Sequence, residues 1–358
     1  MKYVGVDLHK KFISVCAIVI VRGKREVLRR GRFACSDTAG ILAWFSKLGQ
    51  FQVVVEATSA YEWFIQLVEP LAQRVVLAHP KKLRIIAEST RKSDKLDAKV
   101  LAEELAKDCI PEAWRPSPRV RAYRILVRQR CFIQRRITGV KNKLRHVVAS
   151  YNRDVDSFTE SGRKACLEAL PSPWERKVFE QLWDELLNHQ KRLGEADQNL
   201  KEFAQSAPLA EREARALLAT VPGVGPVTVD VVLSELGDWR RFRSMSKVTS
   251  YAGLVPGFRE SNGKEKQLGL TKEGSRWLRW AMVELAWRLV NKTRRWAQVY
   301  ESIAKRSGAK KAIVAVARRI LGVLYSILRT GKPYSLVLGD ARQQTGRRTP
   351  RKKEKTCT

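Results

Sequence analysis

The chain has 358 residues, 69 of them Lys or Arg against 36 Asp or Glu, for a formal net charge of +33. A hydrophobic share of 44% can build cores, which excludes wholesale disorder, while self-repulsion at this charge points to a polyanionic partner, nucleic acid before an anionic membrane surface. The longest nearly apolar run, Ile13 to Val21, has nine residues, far below the ~20 of a membrane-spanning helix, so no membrane role is expected.

Tyr3 to Leu8, Ile13 to Val21 and Val27 to Phe33 read as strands joined by basic turns at Lys10-Lys11 and Arg22-Gly23-Lys24. Asp37 to Leu48 reads as a helix capped by Asp37 or Thr38, Phe51 to Glu56 as a buried strand, Tyr61 to Leu71 as a helix and Arg74 to Ala78 as a strand. A charged helix is expected from Ser93 to Lys107. Three leading strands followed by parallel crossovers are the element order of a ribonuclease H-like domain, taken here as 1–110.

Residues 112–150 hold eleven Lys or Arg and one acid, Glu112, interleaved with apolar residues at helical spacing. Few counter-charges make phosphate binding the expectation for the segment 111–170, with Arg121, Arg124, Arg128, Arg135, Lys141, Lys143 and Arg145 as contacts. Within 171–210, Leu182, His189, Ala196 and Phe203 repeat every seven residues, as do Phe179, Leu186, Leu193 and Leu200. Such a seam is a coiled-coil arm, which either folds back on its own chain or pairs with a second copy; pairing is preferred because the seam is long and narrow.

A helical domain is expected over 211–335. Val221-Pro222-Gly223-Val224-Gly225-Pro226 ahead of the helical run Val227 to Leu236 fits a helix–hairpin–helix, whose glycines let backbone N–H groups approach a phosphate. A tight interhelical turn explains the same pattern. Further helices are expected at Ser275 to Lys292 and Ala309 to Leu328, and 336–358 as a disordered basic tail. No Arg-flanked apolar leader opens the chain, and six scattered cysteines form no C-x-x-C pair, which argues against a zinc ribbon and a disulfide framework and for a cytoplasmic protein.

Four acids stand out. Asp7 lies inside an apolar strand and Glu56 ends another, positions that are costly unless paired or bound to metal. In a ribonuclease H-like sheet the first and fourth strands are neighbours, so these two could face each other. Asp94 and Asp97 are three residues apart at a helix start, hence on one face, although singly each also reads as an ordinary surface or helix-start acid. Converging, the four would hold two Mg²⁺ ions for in-line phosphoryl transfer.

The stretches Val4-Gly5-Val6-Asp7-Leu8-His9-Lys10, Val54-Val55-Glu56-Ala57-Thr58 and Lys92-Ser93-Asp94-Lys95-Leu96-Asp97-Ala98 resemble the DEDD signature of the IS110 family of insertion-sequence transposases, the bridge recombinases. Tyr251-Ala252-Gly253-Leu254-Val255-Pro256, Ser261-Asn262-Gly263-Lys264 and Thr271-Lys272-Glu273-Gly274-Ser275 with Leu278-Arg279 resemble its second domain. The resemblance covers about residues 1–335. It implies a RuvC-like nuclease domain, a coiled-coil arm and a helical transposase domain. It also implies excision and insertion of an element, with donor and target DNA and a structured non-coding RNA as partners, in a dimer or tetramer of a bacterial or archaeal protein associated with the nucleoid. The family's tetrad falls on Asp7, Glu56, Asp94 and Asp97 and its nucleophilic serine on Ser261, with Lys264, Lys272 and Arg279 beside the nucleic acid. From the residues alone Ser261 is a serine in a polar loop, and Ser275, the nearest rival, looks like a helix start. Two other readings stay open: a Mg²⁺-dependent nuclease of the Holliday-junction type in which water attacks, and a non-catalytic remnant that binds nucleic acid.

Overall fold

Three antiparallel strands open the chain because β-branched and apolar runs are separated by short basic turns. The computed structural model describes residues 1–58, 60–83, 98–152, 158–261, 264–271 and 273–335, by backbone alone over 258–261 and 264–268. The strands are β1 (Lys2–Leu8), β2 (Phe12–Val21) and β3 (Lys24–Ala34). Arg22 and Gly23 both take positive φ, 48° and 77°, in the β2–β3 turn, the backbone that a tight hairpin matching strand twist requires. Next come α1 (Thr38–Ser46), β4 (Phe51–Glu56), α2 (Tyr61–Val68), β5 (Arg74–Ala78) and α3 (Ala98–Ala106). Asp37 caps α1, its Oδ1 accepting from the Gly40 N–H at 2.9 Å.

The chain divides into two compact units, Met1–Arg115 and Pro116–Thr358. In the first, the sheet order is β3-β2-β1-β4-β5, with β1–β4 and β4–β5 parallel and the β3–β2–β1 pairs antiparallel. This mixed sheet is consistent with the ribonuclease H-like arrangement expected from the element order. One face, with Val4, Val6, Val53, Val55 and Leu77, packs on α1 and α2 through Ile41, Phe45, Phe64 and Ile65. The opposite face, with Val54, Val76, Cys16 and Ile18, packs on Ala98, Leu101, Ala102 and Leu105 of α3. The unit extends beyond residue 110 because the following chain covers the β5 edge. Ala113 N–H donates to Leu77 O, His79 N–H to Pro111 O, and Arg115 reaches Glu62 and Glu69 of the α2 segment.

The second unit holds α4 (Pro118–Ala149), α5 (Glu160–Ala169), α6 (Pro173–Gln205), α7 (Leu209–Ala219), α8 (Pro226–Leu236) and α9 (Met245–Tyr251). A hairpin of β6 (Pro256–Ser261) and β7 (Lys264–Leu270) follows, then α10 (Arg276–Lys292), α11 (Arg294–Ser307) and α12 (Ala309–Thr330). Every residue of α8 from Thr228 to Leu236 is buried, so it forms the centre of this unit, packed by α4, α7 and α10, with α12 joining the same core.

The heptad seam of α6 does not stay open for a second copy. Phe179, Trp183, Leu186 and Ala196 pack against Ile133, Ile137, Val140, Leu144 and Val148 of α4, and Leu200 joins the core around α8. The arm is thus the fold-back hairpin, because α4 carries its own apolar stripe of matching length beside its basic residues. Among the described residues no helix is long and apolar enough to cross a membrane.

Candidate functional site

Val6 of β1 pairs in parallel register with Val55 of β4, so Asp7 and Glu56, one residue further on each strand, are level neighbours. Their preceding residues Val6 and Val55 point into the α1–α2 core. By the two-residue period of a strand, Asp7 and Glu56 therefore belong to the α3 face of the sheet. Both are partly exposed, and His9 Nε2 lies 3.0 Å from Asp7 Oδ2. Gly5, on the same face as Asp7, is what admits α3. A Cβ built there would stand 2.0 Å from Ala98 O and 2.5 Å from Ala102 N. Asp94 and Asp97 lie outside the described residues, and among the described residues no cluster of three or more His, Cys, Asp or Glu could hold a metal ion. Two oxygen donors on adjacent strands of one face fit a hard divalent cation that takes further oxygen ligands from elsewhere.

In the second unit the expected polar loop around Ser261 is instead a strand hairpin. Ser261 ends β6 and pairs with Lys264, the first residue of β7. Asn262-Gly263 between them is the sequence pair most suited to a two-residue hairpin connection, a signal that pointed to these strands without any structure. The side chains of Ser261 and Lys264, and Lys272 altogether, lie outside the described residues. Ser275 caps α10, as its position suggested. Its Oγ accepts from Leu278 N–H at 3.1 Å and donates to Glu235 Oε2 at 2.9 Å.

Gly223 adopts φ 76° in the turn between α7 and α8, and Gly225 is the N-cap residue of α8. The glycines thus shape an interhelical turn, and Arg288 Nη1 donates to Gly223 O at 3.3 Å. Arg279 donates to Ala252 O at 3.1 Å.

The basic residues of α4 divide by partner. Arg128 forms a two-pronged pair with Glu235, 2.9 and 3.1 Å, whose side chain is 1% exposed. That carboxylate is the leading cause that raises the Arg128 pKa. Arg124 donates to the carbonyls of Ser234 and Glu235, Arg119 binds Glu211, Arg130 binds Asp197, and Arg121 donates to Pro116 O. Tyr123 Oη donates to Asp230 at 2.6 Å while Arg215 binds the same carboxylate at 2.7 Å, and burial, then Asp230, pushes the phenol pKa up. Arg121, Arg124 and Arg128, expected on phosphate, thus hold partners within their own unit, the last two on α8. Towards the other end, Arg135 lies over Trp277, and Lys141 and Arg145 flank the Phe158 ring, while Lys143 is exposed.

His9, Arg30, Arg32 and Lys99 were not singled out by sequence reasoning. Arg32 sits 4.1 Å over the Phe12 ring, which lies 4.4 Å from His9. The alternation Arg30-Gly31-Arg32 on an edge strand was the available signal.

Comparison with known proteins gives one family match that runs from the first unit into α4 of the second and another that lies within the second unit. A DEDD transposase family model, described as "Transposase", fits residues 4–153, and the model described as "Transposase IS116/IS110/IS902 family" fits residues 215–301. The chain is 24% identical over 348 residues to a transposase for insertion sequence element IS1111A of Coxiella burnetii, covering 93% of this chain and 91% of that protein. It is 26% identical to a pilin gene-inverting protein of Moraxella lacunata (93% and 97% covered) and 23% identical to a probable family 20 transposase of Pseudomonas aeruginosa (91% and 96% covered). With one family model beginning on the Asp7 strand and the other holding the Ser261 hairpin, and with full-length relatives of the same kind, the chain belongs to the IS110 family of transposases.

Proposed function

We propose that the protein excises and inserts a DNA element by Mg²⁺-dependent strand cleavage and exchange, with Ser261 as nucleophile. The observation that carries this reading is the parallel register ending at Val6 and Val55, which sets the next residues, Asp7 and Glu56, on adjacent strands of one sheet face. Asp97 immediately precedes Ala98, whose carbonyl abuts Gly5 on that same face, which supports adding Asp94 and Asp97 to the carboxylate set. These four acids would hold two divalent cations, which supply Lewis-acid stabilisation of charge on the phosphate oxygens.

The Ser261 hydroxyl attacks a DNA phosphorus, forming the Oγ–P bond as a backbone P–O bond breaks. The serine proton leaves to solvent and the departing sugar oxygen takes one up. A second strand end reverses the step and joins the strands. The surplus of positive charge supports donor and target DNA as partners. The same charge, with Lys141, Lys143 and Arg145 on α4, supports a structured guide RNA. The dimer or tetramer expected from the family resemblance is part of this reading, with α4 filling the heptad seam of α6 within each chain.

The test is a duplex carrying the element end, incubated with Mg²⁺ and resolved under denaturing conditions. The reading predicts a protein–DNA adduct that Ser261→Ala and Asp7→Asn each abolish. Metal-dependent free ends with no adduct, unchanged in Ser261→Ala, would overturn the serine step and leave the water-nuclease alternative.

A further inference from the structure

The α3 face of the sheet is only partly covered. Helix α3 packs on β1, β2 and β4, and among the described residues the same face of β3 is exposed. Between them runs a cleft of about 420 Å³, its floor formed by Ser14 and Cys16, one wall by Arg30 and Arg32, the other by Ala98 and Lys99. Strand register places this cleft against the carboxylates. Arg32 pairs with Ser14, Ser14 pairs with Asp7, and Asp7 is level with Glu56, so one row across the sheet reads Arg32, Ser14, Asp7, Glu56.

The cations in this cleft differ from those of α4. Among the described residues no carboxylate pairs with Arg30 or Arg32, both exposed, and Lys99 meets only Glu103 at 3.5 Å. Arg30 and Arg32 are two residues apart on one strand, so their stems stand ~7 Å apart on one face, the order of spacing of successive phosphates in a nucleic-acid strand. Arg32 is held over Phe12, in a chain of ring contacts through His9 to Asp7. A guanidinium stacked on a ring keeps its N–H edge free for a phosphate.

We propose that this cleft is a phosphate track for the DNA strand being cut: Arg30, Arg32 and Lys99 hold successive phosphates and lead the backbone along Ser14 to Asp7 and Glu56. The inference rests on the cleavage reading above, and it assigns a DNA contact surface on the first unit in addition to the basic face of α4. Extended, exposed arginines with no acid partner among the described residues suit an anionic backbone of variable sequence and give no base readout.

The test compares the triple variant Arg30→Ala, Arg32→Ala, Lys99→Ala with a control triple that removes three exposed cations elsewhere, Lys305→Ala, Lys310→Ala, Lys311→Ala. Binding of a fluorescein-labelled mixed-sequence single-stranded oligodeoxynucleotide is followed by anisotropy against salt in EDTA. Loss of three phosphate contacts predicts a slope of log K against log salt that is shallower by about 2 in the cleft variant and unchanged in the control, with equal melting temperatures. Equal slopes in the two triples would overturn the track. A change seen with the matching oligoribonucleotide and not with DNA would overturn its assignment to DNA. Metal-dependent cleavage by the unmodified protein is measured alongside. Cleavage with no slope change refutes the track alone, whereas a slope change without cleavage upholds the track and refutes the nuclease reading on which its orientation rests.

Discussion

Glu235 is the most deeply buried carboxylate with a described set of partners: Arg128 grips both oxygens, and Ser275 donates to one of them. Removing Arg128 leaves an ionised group without its counter-charge in the α8 core, so Arg128→Ala should destabilise the second unit by about 2–3 kcal/mol, the lower part of the range for a broken buried pair because the guanidinium itself is 45% exposed. Urea unfolding measures this directly. Unchanged stability with weakened DNA binding would return Arg128 to the phosphate contacts that its sequence context suggested. The sequence could show that these arginines lack acids nearby, but not that Glu235 would arrive from 107 positions away. A charge run therefore reveals its solvent-facing members only after folding has assigned the others. Asp7 and Glu56 were legible for the opposite reason: an acid in a buried apolar strand is anomalous whatever the tertiary contacts.

At the level of elements, the strands that read clearly were those buried on both faces, β1, β2, β4 and β5, since continuous apolar runs need no partner to be recognised. The polar hairpin β6–β7 and helix α11 were not expected. The first has no apolar alternation, and the second follows α10 after Thr293 alone, so the two helices merge in the periodicity. The element contact that matters most for the site is α3 on β1, possible because Gly5 has no side chain. Gly5→Ala drives a methyl group into the Ala98 and Ala102 backbone, which no rotamer change relieves. Overpacking of this kind costs about 1–3 kcal/mol. It should also shift the start of α3, where the chain arrives from Asp94 and Asp97. We therefore expect metal-dependent cleavage to be lost at temperatures where circular dichroism shows the variant still folded. A folded Gly5→Ala protein with unimpaired cleavage would show that α3 does not position the acids.

On the scale of the whole molecule, a net charge of +33 is spread over two units of different construction, a mixed sheet with helices and a helical body around α8. The family match spans both, and the proposed chemistry draws on each: carboxylates from the first and a serine from the second. The order of elements and the family motifs were readable from the sequence, whereas the internal use of the α6 seam was not, because heptads specify a seam without naming what fills it. The central claim is that Asp7, Glu56, Asp94 and Asp97 form one divalent-cation site. It is tested most directly by titrating Mn²⁺ into the DNA-free protein and following free Mn²⁺ by electron paramagnetic resonance, with Asp7→Asn, Glu56→Gln, Asp94→Asn and Asp97→Asn compared with the unmodified chain. The account predicts that each substitution weakens the same binding event at least tenfold; Mn²⁺ binding that is lost in Asp7→Asn but intact in both Asp94→Asn and Asp97→Asn would contradict it.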